Sequence, residues 1–103
     1  MQLIPGFYYH YKHVPERGVH HYAYEVLGAG SHTEKEQTSP DKYVAVYRPL
    51  YESSYGNEMY AIRPLAMFLE QVEVNGEQVP RFRKIEDESV IAELERIRNR
   101  MYP

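Results

Sequence analysis

Apolar and polar residues alternate with period two along several stretches of this chain, and with period 3.6 along its last eighteen residues. The first pattern predicts half-buried strands and the second an amphipathic helix. After a lead-in that ends at the turn signal Pro5-Gly6, "FYYHYKH" is rich in strand-favouring aromatics. Its Phe7, Tyr9 and Tyr11 point one way, as the expected core face, and Tyr8, His10 and Lys12 point the other. "YAYEVLGAGSH" sets Tyr22, Tyr24 and Val26 against Ala23, Glu25 and Leu27, and its Gly28 and Gly30 predict a bend or bulge. "KYVAVYRPLYE" is the clearest strand, with apolar side chains on both faces and Pro49 to end regular pairing. The polar "TEKEQTSPD" before it reads as a hairpin connection. "EMYAIRP" predicts a fourth strand, stopped by Pro64, and "LAMFLEQV" a short helical turn. "VEVNGEQVPRF" reads as strand, Asn-Gly turn and strand.

In the tail, Val90, Ile91, Leu94, Ile97 and Met101 form one stripe, with acids at the start and arginines at the end. That arrangement suits the helix dipole and predicts a helix from Glu88 to Arg100. Its stripe is expected to pack on the same chain, with pairing to a second copy as the alternative. The elements together predict a mainly β fold: a small SH3-like barrel of about five strands over residues 1–85, closed by a C-terminal helix over 86–103 within the same domain.

Composition changes this picture in a few places. The 103 residues suffice for one small domain. Eleven tyrosines stand against three phenylalanines and no tryptophan, which favours half-buried positions where the ring is dry and the hydroxyl is satisfied. The tail carries three arginines and five acids, which leaves nine basic and ten acidic residues in the other 85. Neither part has the excess of positive charge that drives general nucleic-acid binding. With no cysteine, disulfides, thiolate catalysis and cysteine-ligated zinc are excluded. No apolar run approaches the roughly 20 residues that span a bilayer. The expectation is a cytoplasmic protein with no membrane contact and no cofactor, monomeric or weakly dimeric.

Six strings resemble a known family in order and spacing. They are "YYHYK" at 8–12, "YEVLG" at 24–28, "SHTE" at 31–34, "VYRPLY" at 46–51, "IRPLAMF" at 62–68 and "VPRF" at 79–82. Together they resemble the small bacterial family of unknown function DUF1653, over about residues 6–85. The family's usual tryptophan is replaced here by Tyr60, the loops after "YYHYK" and "SHTE" are longer, and the tail helix lies outside the resemblance. The resemblance implies a mainly β domain and transfers no catalytic residue.

Polar residues that alternate with apolar ones in these strings are candidates to face a ligand. They are Tyr9, His10, Lys12, His32, Glu34, Arg48, Tyr60 and Arg63. Arg48 and Arg63 each end an apolar strand just before a proline, and a guanidinium is suited to bidentate capture of carboxylate or phosphate. Their structural alternative is stacking on Tyr47 or Tyr60, or pairing with Glu25 or Glu52. Tyr47, Tyr51, Tyr55 and Tyr60 near them are suited either to packing or to cradling a base or a peptide proline. The leading expectation is a binding module for an anionic ligand, a peptide or a short nucleic-acid strand. A metal-dependent hydrolase using His32 and Glu34 is the second, although no HExxH or comparable spacing occurs. An assembly protein acting through the tail helix is the third.

Overall fold

In the computed structural model, which describes residues 3–54 and 57–103, the elements follow in the order β1 (Gly6–His10), a 3-10 turn (Pro15–Arg17), β2 (Ala23–Ser31), β3 (Tyr43–Pro49), β4 (Ala61–Pro64), α1 (Leu65–Phe68), β5 (Gln71–Val74), β6 (Glu77–Pro80), β7 (Phe82–Lys84) and α2 (Glu88–Met101). Five strands make an antiparallel sheet in the order β4-β3-β2-β1-β7, and β5 and β6 pair separately. The mainly β expectation holds. Among the described residues the sheet does not close into a barrel, with β4 and β7 as its outer strands. Tyr55, one of the tyrosines singled out in the sequence, lies outside the described residues.

Two layers cover the sheet, so both faces of its central strands are dry. On one face Tyr8, Tyr24, Val26, Ala45 and Tyr47 meet Phe68 of α1 and Phe82 of β7. On the other, Phe7, Tyr9, Ala23, Leu50 and Ile85 meet α2. The expectation that only Phe7, Tyr9 and Tyr11 face inward is therefore corrected. β1 is an interior strand, so Tyr8 and His10 are as buried as Phe7 and Tyr9, while Tyr11 lies past its end and is exposed. A strand buried on both faces loses the polar alternation that marks a solvated side.

Local signals set the remaining elements. The bulge in β2 falls where the glycines place it: Val26 pairs with Tyr47 and Gly28 with Val46, so Leu27 is the extra residue. Asn75 and Gly76 both take positive φ, at 53° and 84°, the two-residue turn that suits a twisted hairpin. Asp87 caps α2 by accepting hydrogen bonds from the backbone N–H groups of Ser89 (3.0 Å) and Val90 (3.3 Å). Leu94 is fully buried beneath the helix, with Val90, Ile91 and Ile97 packed around it, so the apolar stripe meets its own sheet. Among the described residues no helix is long and apolar enough to cross a membrane.

Candidate functional site

The register separates the two arginines. Arg48 pairs across from Glu25 and Arg63 from Ala45. Ala45 and Tyr47 belong to the α1 face, so Arg63 lies on that face and Arg48 on the α2 face.

On the α2 face Arg48 is held by one carboxylate and two rings. Its Nε donates to Glu25 Oε1 at 2.9 Å, and its guanidinium lies 4.0 Å from the Tyr102 ring centre and 5.2 Å from that of Tyr60. Arg98 from α2 donates to the other oxygen of Glu25 at 2.8 Å. The Tyr102 hydroxyl donates to the Pro49 carbonyl at 2.6 Å and accepts from Asn57 Nδ2 at 3.1 Å. Glu25, Arg48, Arg98 and Tyr102 thus tie the end of α2 to the sheet. Tyr9 serves the same face: its hydroxyl donates to the Val19 carbonyl and its ring stacks on His13 at 3.6 Å.

On the α1 face a different arrangement forms. Five rings close a cycle of neighbours: Tyr22 to Tyr51 (6.0 Å), Tyr51 to Tyr24 (5.6 Å), Tyr24 to Phe82 (5.7 Å), Phe82 to His10 (5.0 Å) and His10 to Tyr22 (5.3 Å). The Tyr24 and Tyr51 hydroxyls hydrogen-bond to each other. Arg63 stands over Phe82 at 5.5 Å and donates from Nε to the Tyr47 hydroxyl at 3.3 Å. Among the described residues no carboxylate pairs with Arg63. Tyr22 holds φ at 52°, an uncommon and strained backbone for a bulky side chain, with its carbonyl accepting from the His10 N–H at 3.0 Å. The Tyr22–Tyr51 side borders a cleft of about 470 Å³, also lined by Arg17, His20, His21 and Glu52.

His10 is a neutral member of this cup. Burial among the rings, and then the positive charges of Arg63, Lys12 and Arg81, push its pKa down to about 4. The Lys12 N–H donates to His10 Nδ1 at 3.2 Å, so the neutral ring carries its proton on Nε2. Burial also raises the Tyr51 pKa, which keeps that hydroxyl protonated. Lys12 is exposed beside His10, with Nζ 5.9 Å from the Tyr11 ring.

Of the sequence candidates, the structure gathers His10 and Arg63 at this cup with Lys12 near its rim. Arg48, Tyr60 and Tyr9 lie on the other face. His32 and Glu34 lie farther away, exposed in the β2–β3 connection, where the Glu34 N–H donates to His32 Nδ1 at 3.2 Å. Among the described residues no group of three or more His, Cys, Asp or Glu is placed to hold a metal ion. Sequence reasoning did not single out Tyr22, Tyr24 or Phe82 as site residues; the excess of tyrosine and the alternation of Tyr22 and Tyr24 were the available signals.

The whole cup, from His10 to Phe82, falls within one family match. No curated protein and no solved structure matches the chain. Residues 6–84 match the family model described as a protein of unknown function, DUF1653, and the chain belongs to that family.

Proposed function

We propose that the protein is a cytoplasmic, non-catalytic binding module whose α1-face cup takes a compact flat group with anionic character. The observation that carries this is the closed cycle of five aromatic rings with an arginine beside it that has no acidic partner among the described residues. Of the five rings, Tyr22 and Tyr51 border the cleft of about 470 Å³. A ring of aromatics alone also suits a quaternary ammonium. Arg63 and Lys12 oppose that choice, because both add positive potential at the cup, and His10 adds a neutral N–H donor. The strained Tyr22 backbone is of the kind that persists where geometry serves a ligand.

Assembly through α2 is the weaker role, because its apolar stripe is already buried on its own sheet. That burial supports a monomer. Hydrolysis by His32 and Glu34 is weaker still, since His32 Nδ1 is occupied by its own loop.

The test is a titration of the labelled protein with benzoate, inorganic phosphate and tetramethylammonium, followed through the side-chain NMR signals of the aromatic rings. Benzoate is expected to shift Tyr22, Tyr51 and His10 together, and Arg63→Ala is expected to weaken that binding about tenfold, as for loss of one charge-assisted contact. Preference for tetramethylammonium, or shifts confined to other tyrosines, would refute the proposal.

A further inference from the structure

A second cavity, of about 290 Å³, opens where β1 ends against the β5–β6 hairpin and β7. Val74, Val79 and Pro80 of the hairpin form its aliphatic wall, and His10 and Arg83 bring polar groups to it. No carboxylate lines it. Its size is at the small end for ligand pockets, enough for one amino-acid residue rather than a length of chain. It shares no lining residue with the cleft at Tyr22 and Tyr51.

Both polar groups have an unused end. His10 Nδ1 accepts from the Lys12 N–H, and among the described residues nothing accepts from Nε2. His10 is nine-tenths buried, yet no buried side-chain nitrogen or oxygen among the described residues lacks a partner. The Nε2–H therefore reaches the surface, in the cavity that His10 lines. Arg83 lies 5.8 Å from the Tyr9 ring centre and has no carboxylate partner among the described residues. Glu86 and Asp87 line a neighbouring cavity with Arg83, but neither is within ion-pair reach of it, and Asp87 is spent on the α2 cap.

The two groups stand apart. Arg83 pairs across from Tyr9 and Phe82 from His10, so the Arg83 and His10 side chains leave the sheet on opposite faces. Burial, and then Arg63, Lys12 and Arg81, lower the His10 pKa, and Arg83 is not among those charges. A guanidinium fork suits a carboxylate, a neutral imidazole N–H suits a carbonyl oxygen, and the hairpin wall suits a branched aliphatic side chain. We propose that the cavity takes an N-acylated aliphatic amino acid with a free carboxylate, the carboxylate on Arg83 and the acyl oxygen on the His10 N–H. The C-terminal residue of a peptide and a small N-acyl amino acid both carry this chemistry. The site goes beyond the cup: it has His10 in common with it and does not need a ligand there.

The experiment titrates the full chain, labelled at its valine methyl groups and aromatic rings, with N-acetylvaline, its amide and 3-methylbutanoate. N-acetylvaline is expected to shift Val74 and Val79 with a Kd of about 1–10 mM. The amide, which lacks the charge, is expected to bind at least about tenfold more weakly, and 3-methylbutanoate, which lacks the acyl oxygen, at least about threefold more weakly. Both comparisons use the wild-type chain, so they hold whatever a substitution does to the fold. Arg83→Gln is expected to abolish the preference for acid over amide, and Arg96→Gln, at an exposed position of α2, to keep it. A tripeptide ending in valine with a free carboxylate separates the two sources. Binding at least as tight as N-acetylvaline supports a peptide end, and weaker binding supports a small acyl amino acid. Equal binding of acid and amide, equal binding of N-acetylvaline and 3-methylbutanoate, or a preference that survives Arg83→Gln overturns the proposal. So does the absence of any shift at Val74 and Val79 up to about 50 mM. Shifts at Tyr22 and Tyr51 in their place overturn it too, and leave the cup as the binding site.

Discussion

His10 gives the most quantitative consequence of this packing. The residue is 9% exposed, and its pKa is about 4 in the folded chain against an ordinary 6.5. The folded protein therefore refuses a proton that the unfolded chain takes up below about pH 6.5. Stability from this group is complete above that value and falls as pH drops toward 4. The full difference is about 3 kcal/mol, of which about 2 kcal/mol is lost between roughly pH 7.5 and 5. Urea midpoints across that range, in wild type and in His10→Asn, measure it. Asparagine retains an acceptor for the Lys12 N–H but has no proton to gain. His21, whose pKa is also lowered, stays in both chains and cancels in the difference. Asp41 and Asp87, held below the usual carboxylate range, titrate below the window. The variant is expected to be less stable at neutral pH and to lack the slope. Equal slopes in the two proteins would refute a buried neutral imidazole.

Three further outcomes follow from the packing. Glu25→Gln removes the charge shared by Arg48 and Arg98 at a largely buried position and is expected to cost about 1–3 kcal/mol, with faster hydrogen exchange in α2; a loss under about 0.5 kcal/mol would contradict the tie. Leu94→Ala opens a cavity between α2 and the sheet and is expected to cost about 2–5 kcal/mol by chemical denaturation; a neutral change would mean the helix is undocked. Gly76→Ala places a side chain at a φ of 84° in the β5–β6 turn and is expected to cost about 1 kcal/mol, with open space around the new methyl group; a stabilised variant would contradict the turn assignment.

The elements legible in the sequence were those fixed by neighbours along the chain. The Asn75-Gly76 hairpin, the bulge at Gly28 and the stripe of α2 each depend on a few consecutive residues. What sequence pattern missed depends on partners far away. β7 pairs with β1 across most of the chain, which makes β1 interior and buries Tyr8 and His10 as well as Phe7 and Tyr9. The same pairing, with β5 turning back on β6, leaves the sheet open where a barrel was expected. The cup is the extreme case. Residues 10, 22, 24, 51 and 82 come from four segments, and only the register brings their rings into contact. Arg48 and Arg63 look equivalent as Arg-Pro strand ends, yet a difference of fifteen positions in antiparallel neighbours puts them on opposite faces.

A crystal structure grown with benzoate tests the central claim most directly. The benzoate ring is expected among Tyr22, Tyr24, Tyr51, Phe82 and His10, with its carboxylate on Arg63 and with Arg48 still on Glu25. Benzoate seated at Arg48, or a cup whose five rings fill their own centre and admit nothing, would contradict it.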